Sequence, residues 1–145
     1  MIKLFTIGSN GKTCKQFFEL LKKNKIDLLI DVRLNNKSQL SGFAKGGDEY
    51  LGYLLKKICN IKYIHDPYLA PNSQILDKYH LDMKWDEYEL EFDKLMRHRN
   101  VKQYFKKNYS NYTSICFLCV EEKPDKCHRR LVAECLDDKS KIKHL

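Results

Sequence analysis

The chain has 145 residues, enough for one hydrophobic core, and its 43% hydrophobic and 12% aromatic content is that of a folded globular domain. It carries a formal charge of +8 and has no apolar stretch of membrane length, so a transmembrane helix is excluded while a polyanionic partner stays open. The lysines are dispersed through Lys22-Lys23, Lys56-Lys57, Lys106-Lys107 and the tail from Lys139 to Lys143. So diffuse a footprint fits either a solvated, lysine-biased surface or a nucleic-acid contact without a clustered stripe.

In chain order, residues 2–7 read as a first strand, followed by a turn at Gly8-Ser9-Asn10-Gly11-Lys12. The opening residues contain no signal-peptide core, which, with six cysteines expected as reduced thiols, predicts a cytoplasmic protein. Thr13 and Gln16 form a capping box for a helix whose apolar face is Cys14, Phe17, Phe18 and Leu21. Residues 26–32 read as a second strand. Leu51, Leu54, Leu55 and Ile58 mark a second helix, and residues 61–64 a third strand. The stretch 66–84 contains Pro67 and Pro71 and reads mostly as a loop. Trp85, Tyr88, Phe92, Leu95 and Met96 return to helical spacing, with a short helix over 101–105. A continuous apolar run at 115–120 reads as a strand covered on both faces, followed by a helix over 125–137 and a last short strand at 142–145.

Strands alternating with helices predict an α/β fold, a single Rossmann-like domain over 1–145. It has three layers, with a mostly parallel sheet of about five strands and helices on both faces. Ligands in such folds bind beyond the carboxyl ends of the strands. Three segments therefore share a rim: residues 8–12, Asp31-Val32-Arg33, and residues 121–129, with Tyr63 and His65 at the end of the third strand as possible additions.

The last of these segments concentrates reactive groups. Cys119, Glu121, Cys127, His128 and Arg129 surround the passage from strand to helix. A helix N-terminus lowers a thiol pKa and favours anions, so Cys127 reads as a thiolate unless apolar packing buries it. Each residue also has a plain reading: His128 shares a stripe with Leu131 and Leu136, Cys116 and Cys119 suit a strand core, and Arg130 pairs with Glu134 at i,i+4. Asp31 and Arg33 point to one side of a strand, where they either pair with each other or leave Arg33 to hold an anion by its fork. Ser38-Gln39-Leu40-Ser41-Gly42-Phe43 reads as a ligand-covering loop or as a simple connection. Gly11-Lys12-Thr13 is not a P-loop, because that pattern needs a glycine where Thr6 stands.

These residues resemble the DUF488 family. The likeness is carried by Thr6-Ile7-Gly8-Ser9, by Leu29-Ile30-Asp31-Val32-Arg33 with Ser38 and Gly42-Phe43, and by Tyr63-Ile64-His65. Its most specific part is Leu118-Cys119-Val120-Glu121 with Cys127-His128-Arg129. Where the family has a Leu-Gly-Gly segment this chain has Leu69-Ala70-Pro71. The resemblance implies a small α/β domain with a shared polar site and names no reaction.

Three functional classes follow. The first is an enzyme or ligand-binding domain for a phosphorylated or nucleotide-like anion, with no cofactor. Cys127, His128, Glu121 and Cys119 are its catalytic candidates, and Arg33, Arg129, Asp31, Ser9 and Ser38 its ligand-binding ones. The second is a metal site of Cys119, Cys127 and His128; the Cys116-x-x-Cys119 spacing is not a zinc knuckle, since on a strand those thiols face opposite ways. The third is a nucleic-acid-binding module without catalysis. The first is the preferred expectation.

Overall fold

The structure, a computed structural model, describes residues 1–37 and 41–145. Five strands, β1 (Lys3–Gly8), β2 (Leu28–Asp31), β3 (Lys62–His65), β4 (Ser114–Cys119) and β5 (Lys143–His144), form one all-parallel sheet in the order β3-β2-β4-β1-β5. Among the described residues six α-helices complete it: α1 (Cys14–Lys23), α2 (Leu51–Cys59), α3 (Ser73–Asp82), α4 (Trp85–His98), α5 (Val101–Tyr109) and α6 (His128–Leu136). The expected three-layer α/β architecture is present, with every strand parallel.

Alternation along the strands assigns the faces. Phe5, Ile7, Leu29, Cys116 and Leu118 pack with Phe17, Phe18 and Leu21 of α1 and Leu51 and Leu55 of α2. Leu4, Ile30, Phe117 and Cys119 pack on the opposite face with Tyr88, Phe92 and Met96 of α4, Phe105 of α5 and Val132 of α6. β2 and β4 lie inside the sheet with both faces covered, which is why their sequences are continuous apolar runs.

The capping box is present, with Gln16 N–H donating to Thr13 Oγ1 at 3.1 Å and Thr13 N–H to Gln16 Oε1 at 2.9 Å. Residues 66–84 correct the loop expectation. Pro67 opens a 3-10 turn (Pro67–Leu69), both prolines precede α3, and the Asn72 side chain caps it by accepting from Ile75 N–H at 2.9 Å. No residue of α3 is fully buried; its short apolar stripe, Ile75, Leu76 and Tyr79, is half-buried against the core and follows the two prolines that suggest a loop.

Topology places the site. From β2 the chain leaves outward to β3 through α2. From neighbouring β4 it leaves the other way, to β5, through α6 on the opposite face. The carboxyl ends of β2 and β4 thus part at a switch point, where such sheets open a crevice.

Candidate functional site

Asp31 ends β2 and turns its carboxylate to the α1/α2 side. Arg33 clasps it with both arms, Nε to Oδ1 at 2.8 Å and Nη2 to Oδ2 at 2.6 Å, and the Arg33 N–H adds a bond to Oδ1 at 3.2 Å. The Tyr63 hydroxyl donates to Oδ2 at 2.6 Å, and Asn36 donates to that hydroxyl at 3.2 Å. Burial, then the Asp31 charge, push the Tyr63 pKa well up, so it stays a donor. His65 Nε2 meets the Arg33 carbonyl at 2.8 Å. Of the two readings of Asp31 and Arg33, the structure shows the mutual pair, fully buried.

Cys119 ends β4 on the opposite face. Cys116 lies in the α1/α2 core, so the two thiols do face opposite ways. Cys119, Cys127 and His128 are only 6%, 3% and 7% exposed, and one donor atom of each lies within 4.8 Å of the others. Cys119 Sγ stands 3.7 Å from both ring nitrogens of His128. His128 Nε2 lies 2.6 Å from the Val32 carbonyl, a contact that requires a proton on Nε2. In the neutral imidazole the lone pair is then on Nδ1. The Phe92 ring packs 5.7 Å from the imidazole and covers it from α4.

Cys127 corrects one expectation. The sequence starts the last helix at residue 125, in which case Cys127 sits in its first turn. In the structure α6 starts at His128, and Cys127 precedes it with extended backbone, φ −141° and ψ 135°. Residues 124–127 form a turn instead, closed by Cys127 N–H donating to the Pro124 carbonyl at 3.2 Å. Burial pushes the Cys127 thiol well up, as does its hydrogen bond to Cys119. That same hydrogen bond holds the Cys119 thiol below its usual range.

Arg129 explains why the turn does not wind into helix. Its guanidinium, wholly buried, donates to the Glu121 carbonyl at 2.6 Å, the Glu122 carbonyl at 3.2 Å and Thr6 Oγ1 at 3.4 Å. These bonds fix the loop carbonyls towards β1, where a Cβ on Gly8 would lie 1.8 Å from the Glu121 oxygen; only glycine permits that approach. Arg129 makes no ion pair among the described residues. Lys12 donates to the Gly8 carbonyl at 3.0 Å, and burial, followed by the Arg129 charge, lowers its pKa.

Of the residues expected at the rim, the structure brings together Cys119, Cys127 and His128, with Arg129 behind them. Asp31 and Arg33 form a separate network across the end of β2. Glu121 is exposed, contributing its carbonyl to Arg129. Ser9 is buried, its N–H donating to the Cys119 carbonyl at 3.0 Å and its carbonyl accepting from Ser41 Oγ at 3.0 Å. Ser38 lies outside the described residues. Arg130 pairs with Glu134 at 3.0 Å, as the spacing predicts. Sequence reasoning gave no role to Thr6 or to the Val32 carbonyl. Thr6, a lone hydroxyl inside an apolar strand, was a visible signal; a backbone carbonyl gives none.

The sequence matches the domain of unknown function DUF488 over residues 13–136, most of its length. The chain belongs to the DUF488 family. No curated protein and no solved structure matches it. All of the cluster on β4 and α6, and the Asp31 network with it, falls inside the DUF488 match, whereas Thr6, Gly8, Ser9 and Lys12 precede it.

Proposed function

We propose that this DUF488 protein is a ligand-binding or catalytic domain for a phosphorylated or nucleotide-like anion, working at the carboxyl ends of β2 and β4. Cys119, Cys127 and His128 are its reactive groups, Glu121, Ser9 and Ser38 are further candidates, and Arg129 supplies the positive charge. Asp31 holds Arg33. The observation that carries the reading is Arg129, a fully buried guanidinium whose partners are carbonyl and hydroxyl dipoles, directly behind the thiol cluster. A buried charge balanced only by dipoles leaves a field that an anion relieves. The reading includes a reducing, cytoplasmic setting, which keeps the six free thiols reduced; no helix of the described residues is long and apolar enough to cross a membrane.

Calorimetric titration and thermal unfolding of the full chain with a nucleoside monophosphate, inorganic phosphate, the neutral nucleoside and chloride at matched ionic strength test it. The nucleotide is expected to stabilise the fold by about 2.7 kcal/mol at a hundredfold excess over Kd, and to slow alkylation of Cys119. Equal responses to nucleotide and chloride would reject an anion site.

One observation favours a second reading, a nucleic-acid-binding module. Tyr50 and Tyr53 at the start of α2 are 48% and 54% exposed, with Lys45 Nζ 4.0 Å above one ring and Lys57 Nζ 5.8 Å above the other. Exposed rings bordered by lysines make a stacking platform for single-stranded bases. Oligonucleotide binding that falls steeply with salt, is weakened by Tyr50→Ala and Tyr53→Ala, and ignores Cys119→Ser would favour this reading over the first.

A further inference from the structure

We infer that Cys119, Cys127 and His128 form a zinc site with one open coordination position, which rests on the reading of this trio as the working centre.

The donors are of the right type and nearly in place. Zinc–sulfur bonds of about 2.3 Å and zinc–nitrogen bonds of about 2.0 Å at tetrahedral angles set edges of about 3.8 Å between sulfurs and 3.6 Å from sulfur to nitrogen. Cys119 Sγ is 3.7 Å from His128 Nδ1, and the whole group fits within 4.8 Å. Closing it round an ion also needs a turn of the imidazole or of the Cys119 side chain, because Sγ stands as near Nε2 as Nδ1.

The imidazole is already set for the task. A ligating histidine presents one nitrogen lone pair and gives its other N–H to a carboxylate or backbone carbonyl, which fixes tautomer and ring orientation. Here Nε2 is committed to the Val32 carbonyl at 2.6 Å, which leaves the lone pair of a neutral ring on Nδ1, 3.7 Å from Cys119 Sγ.

Charge selects the ion. On binding, each thiol loses its proton to solvent, and two thiolates with a neutral imidazole cancel a divalent cation. A neutral centre suits a site this buried, whereas a bare thiolate pair does not. Thiolate donors favour zinc over magnesium or calcium, which take oxygen ligands. The supports are rigid: Cys119 sits at the end of the central strand, His128 opens α6, and Arg129 clamps the loop between them. Among the described residues no fourth histidine, cysteine or carboxylate joins the group. Three protein ligands with a fourth position open is the pattern of catalytic rather than structural zinc. That position takes water or an oxygen of the anion.

Metal analysis of the reduced full chain, together with titration by Zn²⁺ and by Co²⁺ alone, decides the matter. We expect about one zinc per chain and a tetrahedral thiolate–cobalt spectrum, with affinity falling tenfold or more in Cys119→Ser, Cys127→Ser and His128→Asn. Cys116→Ser, on the other face of the same strand, keeps both. Zinc at trace level with no thiolate–cobalt bands in the wild type would overturn the site, as would a Cys119–Cys127 disulfide forming in its place. If anion-dependent protection of Cys119 persists in zinc-free protein, the metal alone fails. If both are absent, the reading of the trio as the centre fails with it.

Discussion

Two clusters stand a strand apart at the same rim, and they are built on opposite terms. On the α1/α2 side every oxygen of Asp31 is answered: Oδ1 by the Arg33 Nε and backbone N–H, Oδ2 by Arg33 Nη2 and the Tyr63 hydroxyl. On the α6 side two sulfurs and a ring nitrogen face one another, with a single strong hydrogen bond, from His128 to the Val32 carbonyl. The first cluster spends its charges on itself and has little left to offer a ligand. The second commits its sulfurs only to the hydrogen bond between Cys119 and Cys127, a backbone contact at Val120 and long 3.7 Å contacts with the imidazole. Saturation marks a group that holds shape, and unspent lone pairs mark one that binds. Val32 joins the two, since its flanking residues form the first network and its carbonyl orients the second.

The comparison breaks most readily at Asp31. Asp31→Ala strands the buried Arg33 guanidinium without its carboxylate, and denaturant unfolding is expected to show a loss of about 3–5 kcal/mol. Removing both charges in Asp31→Ala with Arg33→Met restores much of that loss, because the penalty belongs to the unpaired charge. If the double variant instead loses the sum of the two single losses, the pair is not coupled and the saturated network is no unit at all. Tyr63→Phe comes next. It removes one hydrogen bond to a charged group and leaves the Arg33 fork intact, so about 2 kcal/mol is expected from the same measurement. A larger loss than that of Asp31→Ala would show that the tyrosine, and not the ion pair, closes the network.

The sequence made the saturated cluster harder to read than its parts. Asp31 and Arg33 at a two-residue strand spacing were visibly able to pair, yet the spacing could not say whether they would. Tyr63 decides it from another strand, through β2–β3 register that no local pattern encodes. The donor-rich cluster was legible in its members because Cys119, Cys127 and His128 are close along the chain. Its geometry was not, since the start of α6 is set by Arg129 reaching back to Glu121, Glu122 and Thr6, a long-range override of helix propensity. Apolar periodicity revealed the buried strands and α1 and α4, whose stripes meet the sheet. It missed α3, whose only apolar stripe is the short Ile75, Leu76 and Tyr79, half-buried and close behind Pro67 and Pro71.

The smallest effect sharpens the comparison furthest. Cys119→Ala deletes one sulfur from a buried site, which in metal-free protein is expected to cost about 0.5–1.5 kcal/mol, as for any small group removed from a core. Cys116→Ala deletes the same atom from the same strand on the other face, where burial is the main influence on the thiol, and is expected to cost as much. The two variants should therefore unfold alike without zinc and differ once it is added. Zinc should raise the unfolding temperature of Cys116→Ala as it does that of the wild type and leave Cys119→Ala where it was. Were Cys119→Ala to cost as much as Asp31→Ala in metal-free protein, the sulfur would be holding shape after all, and the distinction between the two clusters would collapse.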